Sequence, residues 1–181
     1  MNPQEARKIL AEAELICPAE KSALAVRRVA GEITARLAET NPLLLAVMGG
    51  AVVFAGQLLP QLAFPLDFDY LHVSRYGDAT AGGRLSWVVE PRSDVAGRVV
   101  LVVDDILDEG VTLAEIRERL LAQGAAEVLT AVFADKNLGR AKPIVSDFIG
   151  IELPNRYVFG FGMDIRGAWR NLPAVYAVKD M

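Results

Sequence analysis

The period of the apolar positions changes along the chain, and each change marks an element. Residues 3–14 carry a helical period. A second helix is predicted from Pro18 to about residue 39, with Leu24, Val26, Val29, Ile33 and Leu37 at its apolar positions. Short apolar runs at 43–47 and 68–74 read as strands, separated by the Gly49-Gly50 break and a helical stretch at 51–62. Strands are predicted at 85–89 and 98–103, joined by a Pro-Arg-Ser-Asp turn. A helix at 112–123 ends at Gly124, which suits a C-cap, and a strand follows at 128–134. Beyond Lys136, short strands around 148–151, 157–161 and 175–178 are separated by glycine and proline. Residues 77–83 are polar and glycine-rich, with the composition of a flexible loop. Strand–helix–strand alternation in the middle predicts an α/β fold, a parallel sheet with helices on both faces. No linker divides the chain. One domain is expected over 1–181, with the terminal segments, roughly 1–20 and 147–181, forming a small hood over the strand ends.

Composition narrows the picture. Of 181 residues, 52% are hydrophobic, and the mean hydropathy is +0.29. That fits a large core or a buried interface between subunits. A net charge of −4 argues against general nucleic-acid or membrane-surface binding. Cys17 is the only cysteine, which excludes an internal disulfide and a cysteine zinc cluster. Neither a secretory leader's apolar core nor a run of membrane-spanning length is present, so the cytoplasm is the expected compartment.

The chemistry concentrates between Val99 and Thr112. Five apolar residues, Val99 to Val103, read as a buried strand. Asp104 and Asp105 follow, and Asp108-Glu109-Gly110-Val111-Thr112 turns into the next helix. Ligands of open α/β sheets bind beyond the carboxyl ends of the strands, and a loop opening a helix offers unpaired N–H groups to an anion. Carboxylates beside such a loop suit ribose hydroxyls or a hydrated metal. The run therefore reads as a site for a sugar bearing a phosphate. Taken singly, its residues also fit ordinary roles. Adjacent carboxylates on a strand point to opposite faces, and acids in a first helical turn complement the dipole.

Residues 102–112 resemble the phosphoribosyl-pyrophosphate signature of type I phosphoribosyltransferases. Residues 147–160, Met163-Asp164 and the stretch Trp169 to Pro173 resemble the hypoxanthine-guanine members of that family. The resemblance spans about 43–178. It implies a type I phosphoribosyltransferase-like sheet with a hood, and transfer of phosphoribosyl from its pyrophosphate to hypoxanthine or guanine. By that resemblance Asp104 and Asp105 contact the ribose hydroxyls. The amides from Asp108 through Glu109, Gly110 and Val111 to Thr112 cradle the 5′-phosphate, with the Thr112 hydroxyl. Asp108 handles the proton at N7 of the purine and is the catalytic candidate. Met48 and Gly49, with Gly50, form a pyrophosphate loop, often with a cis peptide, and Arg170 contacts pyrophosphate. Ser74, Arg75 and Tyr76 begin a lid. Lys136 donates to O6, Tyr157 stacks on the ring, Val158 pairs through its backbone, and Asp164 meets the base edge or a magnesium-bound water. Asp104, Asp105 and Asp164 are the metal candidates and Mg2+ the implied cofactor. A homodimer or homotetramer is also implied.

Elementary chemistry runs the same way. A lysine only donates hydrogen bonds, so Lys136 suits a 6-oxo rather than a 6-amino purine; a surface position is its ordinary alternative, as core packing is for Tyr157. The transferred sugar has cationic character and needs shielding from water. His72 is read as structural. Met48 departs from the lysine of many relatives, and Val111 lacks a polar option found in some. Glu109 stands where a hydroxyl is usual. A carboxylate about 4 Å from a phosphate costs roughly 4 kcal/mol per charge pair at intermediate dielectric. Glu109 is therefore predicted to turn away, toward an arginine or solvent. Two rivals remain open at this point: a nucleotide-sensing regulator, which calls for a basic patch, and an enzyme preferring xanthine.

Overall fold

The computed structural model describes residues 1–76 and 84–179. Its elements are helix α1 (Pro3–Glu12), strand β1 (Glu14–Cys17), α2 (Ala19–Leu37), β2 (Leu43–Met48), α3 (Val52–Leu58), β3 (Asp67–Tyr76), β4 (Arg84–Val89), β5 (Val99–Leu107), α4 (Val111–Ala122), β6 (Glu127–Asn137), β7 (Phe148–Pro154), β8 (Val158–Phe159) and β9 (Val175–Ala177). A 3-10 turn, Leu59–Gln61, extends α3, where Pro60 enters. The main sheet has the order β4-β3-β2-β5-β6-β7, parallel except for β4. β2 and β5 sit at its centre, and Leu43 to Val47 are buried throughout. Such strands are covered on both faces, hence their continuous apolar runs.

Two apolar clusters fill the two faces. One joins α2 and α3 to the sheet and to the C-terminal segment, where Phe133 stacks on Phe161 at 3.8 Å between ring centroids. The other lies under α4, through Leu113, Ile116 and Leu120. The β3–β4 hairpin is tied to α4 by Arg119, which lies 4.4 Å over the Trp87 ring and pairs with Glu90 at 2.5 Å.

The structure departs from the predicted elements in four places. α1 stops at Glu12 and Ala13 is extended, so Glu14–Cys17 forms a strand against β9. The short run Leu15-Ile16 suits helix or strand equally, and its partner lies at the other end of the sequence. Second, the hood starts later than residue 147: β7 pairs parallel with β6 in the main sheet, and the separate sheet is β1-β9-β8. Third, β5 continues past Asp104-Asp105 to Leu107, because β6 supplies partners as far as Asp135. Fourth, the lid expected from Ser74 through roughly Trp87 is paired strand at both described ends, Ser74 to Tyr76 on β3 against Arg84 to Ser86 on β4; its residues 77–83 lie outside the described residues.

Side chains bind the hood together. Trp169 donates to the Ala6 carbonyl at 2.8 Å, Arg166 pairs with Glu5 at 2.9 Å, and Arg156 pairs with Glu14 at 2.6 Å.

Candidate active site

The strand β5, its loop and α4 supply the first half of the site. Gly110 precedes α4 in the left-handed conformation, φ 81°, which glycine adopts without steric cost. Among the described residues no side chain makes a capping hydrogen bond at Gly110. The first amides of that helix are the kind that bind an anion. Glu109 pairs with Arg140, so its charge is turned to a cation.

Asp104 and Asp105 are both buried, and the Asp105 N–H donates to Asp104 Oδ1 at 2.9 Å. Burial first, and the neighbouring Asp105 charge second, push Asp104 well above the usual carboxylate range. Burial also raises Asp105, offset in part by the Asp104 hydrogen bond and Arg170. Arg170 is the cation facing this pair. It lies 3.9 Å from Asp105, pairs with Asp164 at 2.5 Å, and donates to the Gly162 carbonyl at 2.6 Å.

β2 ends at the Met48–Gly49 peptide, which is cis. The loop beyond it touches the carboxylates with no side chain between. A Cβ at Gly50 would strike the Asp105 carboxylate, and one at Gly162, where φ is 102°, would strike the Gly50 carbonyl. Two glycines thus let the loop, the strand and the C-terminal segment meet.

A pocket of about 210 Å³ opens between the halves. It brings together Asp105, Asp108, Lys136, Tyr157, Val158 and Asp164, as the resemblance implied, and adds Ile106 and Met163. Lys136 Nζ meets Asp108 Oδ2 at 2.7 Å, the lysine side chain 11% exposed and the aspartate 48%. Lys136 is therefore not a surface lysine. Tyr157 is 44% exposed and is not core packing. Its hydroxyl lies 3.5 Å from the Asp164 carbonyl. Asp164 also accepts from the Gly167 N–H at 2.6 Å.

Other candidates fall elsewhere. Asp104 does not line the pocket. Among the described residues no three metal-ligating side chains converge, so Asp104, Asp105 and Asp164 do not make a chelating cluster. The reason is local: Asp104 holds its neighbour's N–H, and Asp164 is occupied by Arg170 and Gly167. His72 is exposed on β3, opposite Met48 in register. Ser74 Oγ is buried without a hydrogen-bond partner among the described residues. The sequence reading missed Arg140, Lys142 and Gly162. A basic pair in a short connection is an ordinary surface signal, and only the fold turns it toward the loop.

Residues 14–166 match the family model described as phosphoribosyl transferase domain. Hypoxanthine-guanine-xanthine phosphoribosyltransferase of Tritrichomonas foetus is 33% identical over 156 residues, 86% of this chain and 85% of that protein. Hypoxanthine-guanine phosphoribosyltransferase of Bacillus subtilis is 32% identical over 155 residues, 85% of this chain and 86% of that protein. A crystal structure of a hypoxanthine phosphoribosyltransferase from Staphylococcus aureus superposes with a TM-score of 0.89 at 24% identity, covering 95% of each chain, a likeness of fold. A hypoxanthine-guanine-xanthine phosphoribosyltransferase structure gives 0.85 at 29% identity, covering 94% of this chain and 99% of that one. The chain belongs to the phosphoribosyltransferase family, among relatives of the hypoxanthine-guanine type.

Proposed function

We propose that this chain transfers a 5-phosphoribosyl group from its pyrophosphate donor to hypoxanthine or guanine, giving IMP or GMP and pyrophosphate. The observation that carries the reading is the Lys136–Asp108 pair in the pocket, one residue a pure donor and the other an acceptor. Lys136 meets O6 of a 6-oxopurine, and a 6-amino group there would set donor against donor. Asp108, opening the phosphate loop, takes the N7 proton as the new bond forms. Tyr157 stacks on the ring, the Val158 backbone meets its edge, and Asp164 accepts from it. Asp105, with Asp104 behind it, holds ribose hydroxyls. The amides from Asp108 through Glu109, Gly110 and Val111 to Thr112 receive the 5′-phosphate. Met48, Gly49 and Arg170 face the leaving pyrophosphate, and Ser74, Arg75 and Tyr76 lead into a cover that keeps water from the cationic sugar.

Two buried carboxyl groups, both raised from the usual range, face one arginine, and a further cation beside these oxygen ligands would favour their charged forms. That suits an ion keeping most of its waters and bound chiefly through substrate phosphates, with Asp105 and Asp164 as outer contacts. When bound, Mg2+ neutralises charge building on the pyrophosphate.

We further read the protein as a cytoplasmic homodimer or homotetramer. Among the described residues no helix is long and apolar enough to cross a membrane. Phe68 and Tyr70 of β3, Val88 of β4 and Val52 of α3 are exposed apolar residues that support a subunit interface. The xanthine-using relative favours a second reading, in which xanthine is also accepted. Steady-state assays with donor and each of hypoxanthine, guanine, xanthine and adenine test both. Turnover with the first two and none with adenine is expected; no turnover of any 6-oxopurine overturns the proposal.

A further inference from the structure

Behind the phosphate loop, the connection between β6 and β7 grips the loop at three points. Arg140 pairs with Glu109, at an exposed position where such pairs contribute little. Pro143 and Ile144 lie against Gly110, so close that an added Cβ there would sit 3.3 Å from each. Between them, Lys142 reaches inward. Its Nζ donates to the Leu107 carbonyl at 2.7 Å and pairs with Asp135 at 2.5 Å. The lysine side chain is 9% exposed and that of Asp135 25%.

Leu107 and Asp135 face each other at the end of the β5–β6 ladder. The next residue after Leu107 is Asp108, where strand gives way to loop. A charged amine at 9% exposure is costly unless its hydrogen bonds are well made. Here they are made to a backbone carbonyl and a carboxylate from two neighbouring strands. The lysine therefore fixes the direction in which the backbone leaves the sheet, and with it the aim of the amides that follow.

Resting on the function proposed above, we infer that Lys142 is a positioning residue for the 5′-phosphate grip. It touches neither base nor sugar, and acts through the Leu107 carbonyl and Asp135. Neither of its polar partners, Leu107 and Asp135, lines the pocket that holds Tyr157, Val158 and Asp164, so the expected effect is on phosphate.

Calorimetric dissociation constants for GMP and guanosine test this, because their ratio isolates the phosphate. In Lys142→Met the preference for GMP over guanosine falls about tenfold, the scale of one charge-assisted hydrogen bond, while guanosine affinity is retained. Lys142→Arg, which keeps both donors, recovers most of the preference. Equal loss of both affinities, or an unchanged ratio, overturns the inference while leaving the functional reading intact. A parent protein that binds neither compound overturns both. If Lys142→Met does not fold, Asp135→Asn serves: the ratio falls by a smaller factor, and an unchanged ratio overturns the inference.

Discussion

The two halves of the site are built by opposite means. The half proposed to hold the sugar phosphate is nine consecutive residues, Asp104 to Thr112, on the central strand and the helix that follows it. β6 pairs with it from Asp104 to Leu107, and β2 pairs with the strand just before it, as far as Val103. The half proposed for the base gathers Lys136 from β6, Tyr157 and Val158 at the start of β8, and Asp164 from the segment before β9. Between 160 and 169 that segment holds Gly160, Phe161, Gly162, Arg166, Gly167 and Trp169 at positive φ. Each non-glycine in that region costs roughly 1–2 kcal/mol, which the surrounding contacts must offset. One half is fixed by sheet geometry, the other by turns and side-chain ties. Base preference can therefore change without disturbing the phosphate grip, except where the halves touch.

The comparison yields an ordered set of tests. Asp108→Asn, at the junction, should lower kcat by about 10²–10⁴-fold, the usual weight of a general base, with a smaller change in donor KM. A rise in donor KM as large as the fall in kcat would make Asp108 chiefly a binding residue. Lys136→Met should raise KM for guanine by about 10–100-fold, the loss of a hydrogen bond to a charged group, with donor KM much less affected. Gly162→Ala probes the contact of the halves. Overpacking against the Gly50 carbonyl should cost about 1–3 kcal/mol, read as a melting temperature lower by about 2–4 °C per kcal/mol, and KM for both substrates should rise together. If only the base KM moves, the halves are not joined through this glycine.

The buried carboxylates give a pH test. The folded, ligand-free protein holds their protons more tightly than the unfolded chain, because burial raises both and the neighbouring Asp105 charge raises Asp104 further. This stability is fully present below the ordinary value of 3.8 and is lost as pH rises through the raised folded values. Asp104→Asn should therefore melt above the parent at neutral pH and decline less as pH rises above the ordinary carboxylate range, followed by scanning calorimetry. A steeper decline than the parent's would contradict it. The smallest effect belongs to Arg140→Ala. Its exposed pair with Glu109 should contribute at most about 1 kcal/mol to stability, checked by denaturant titration.

The same contrast decides what was legible in sequence. The phosphate half is contiguous, and an apolar strand, two acids, a glycine and a helix could be read in order. The central strands follow from continuous burial, with β5 longer than expected only because β6 lends it partners. Lys136, Tyr157 and Asp164 carry no local signal and were placed by resemblance. Ile106 and Met163 look like any core residue. Lys142 and Gly162 act through contacts with residues far away in sequence, so their roles wait on the fold. β1 was hidden for the same reason, since a four-residue strand is defined by its partner rather than by its period.

That partner is β9, and the pairing of Glu14 to Cys17 with Val175 to Ala177 has a consequence for synthesis. A growing chain makes β1 well before β9 and must leave that edge unpaired until residues 175–177 have been translated. The central strands and the phosphate loop can consolidate on the ribosome, domain-like and early. The hood sheet cannot close until residue 177 emerges, so the segments proposed to grip the sugar phosphate are complete before those proposed to choose the base.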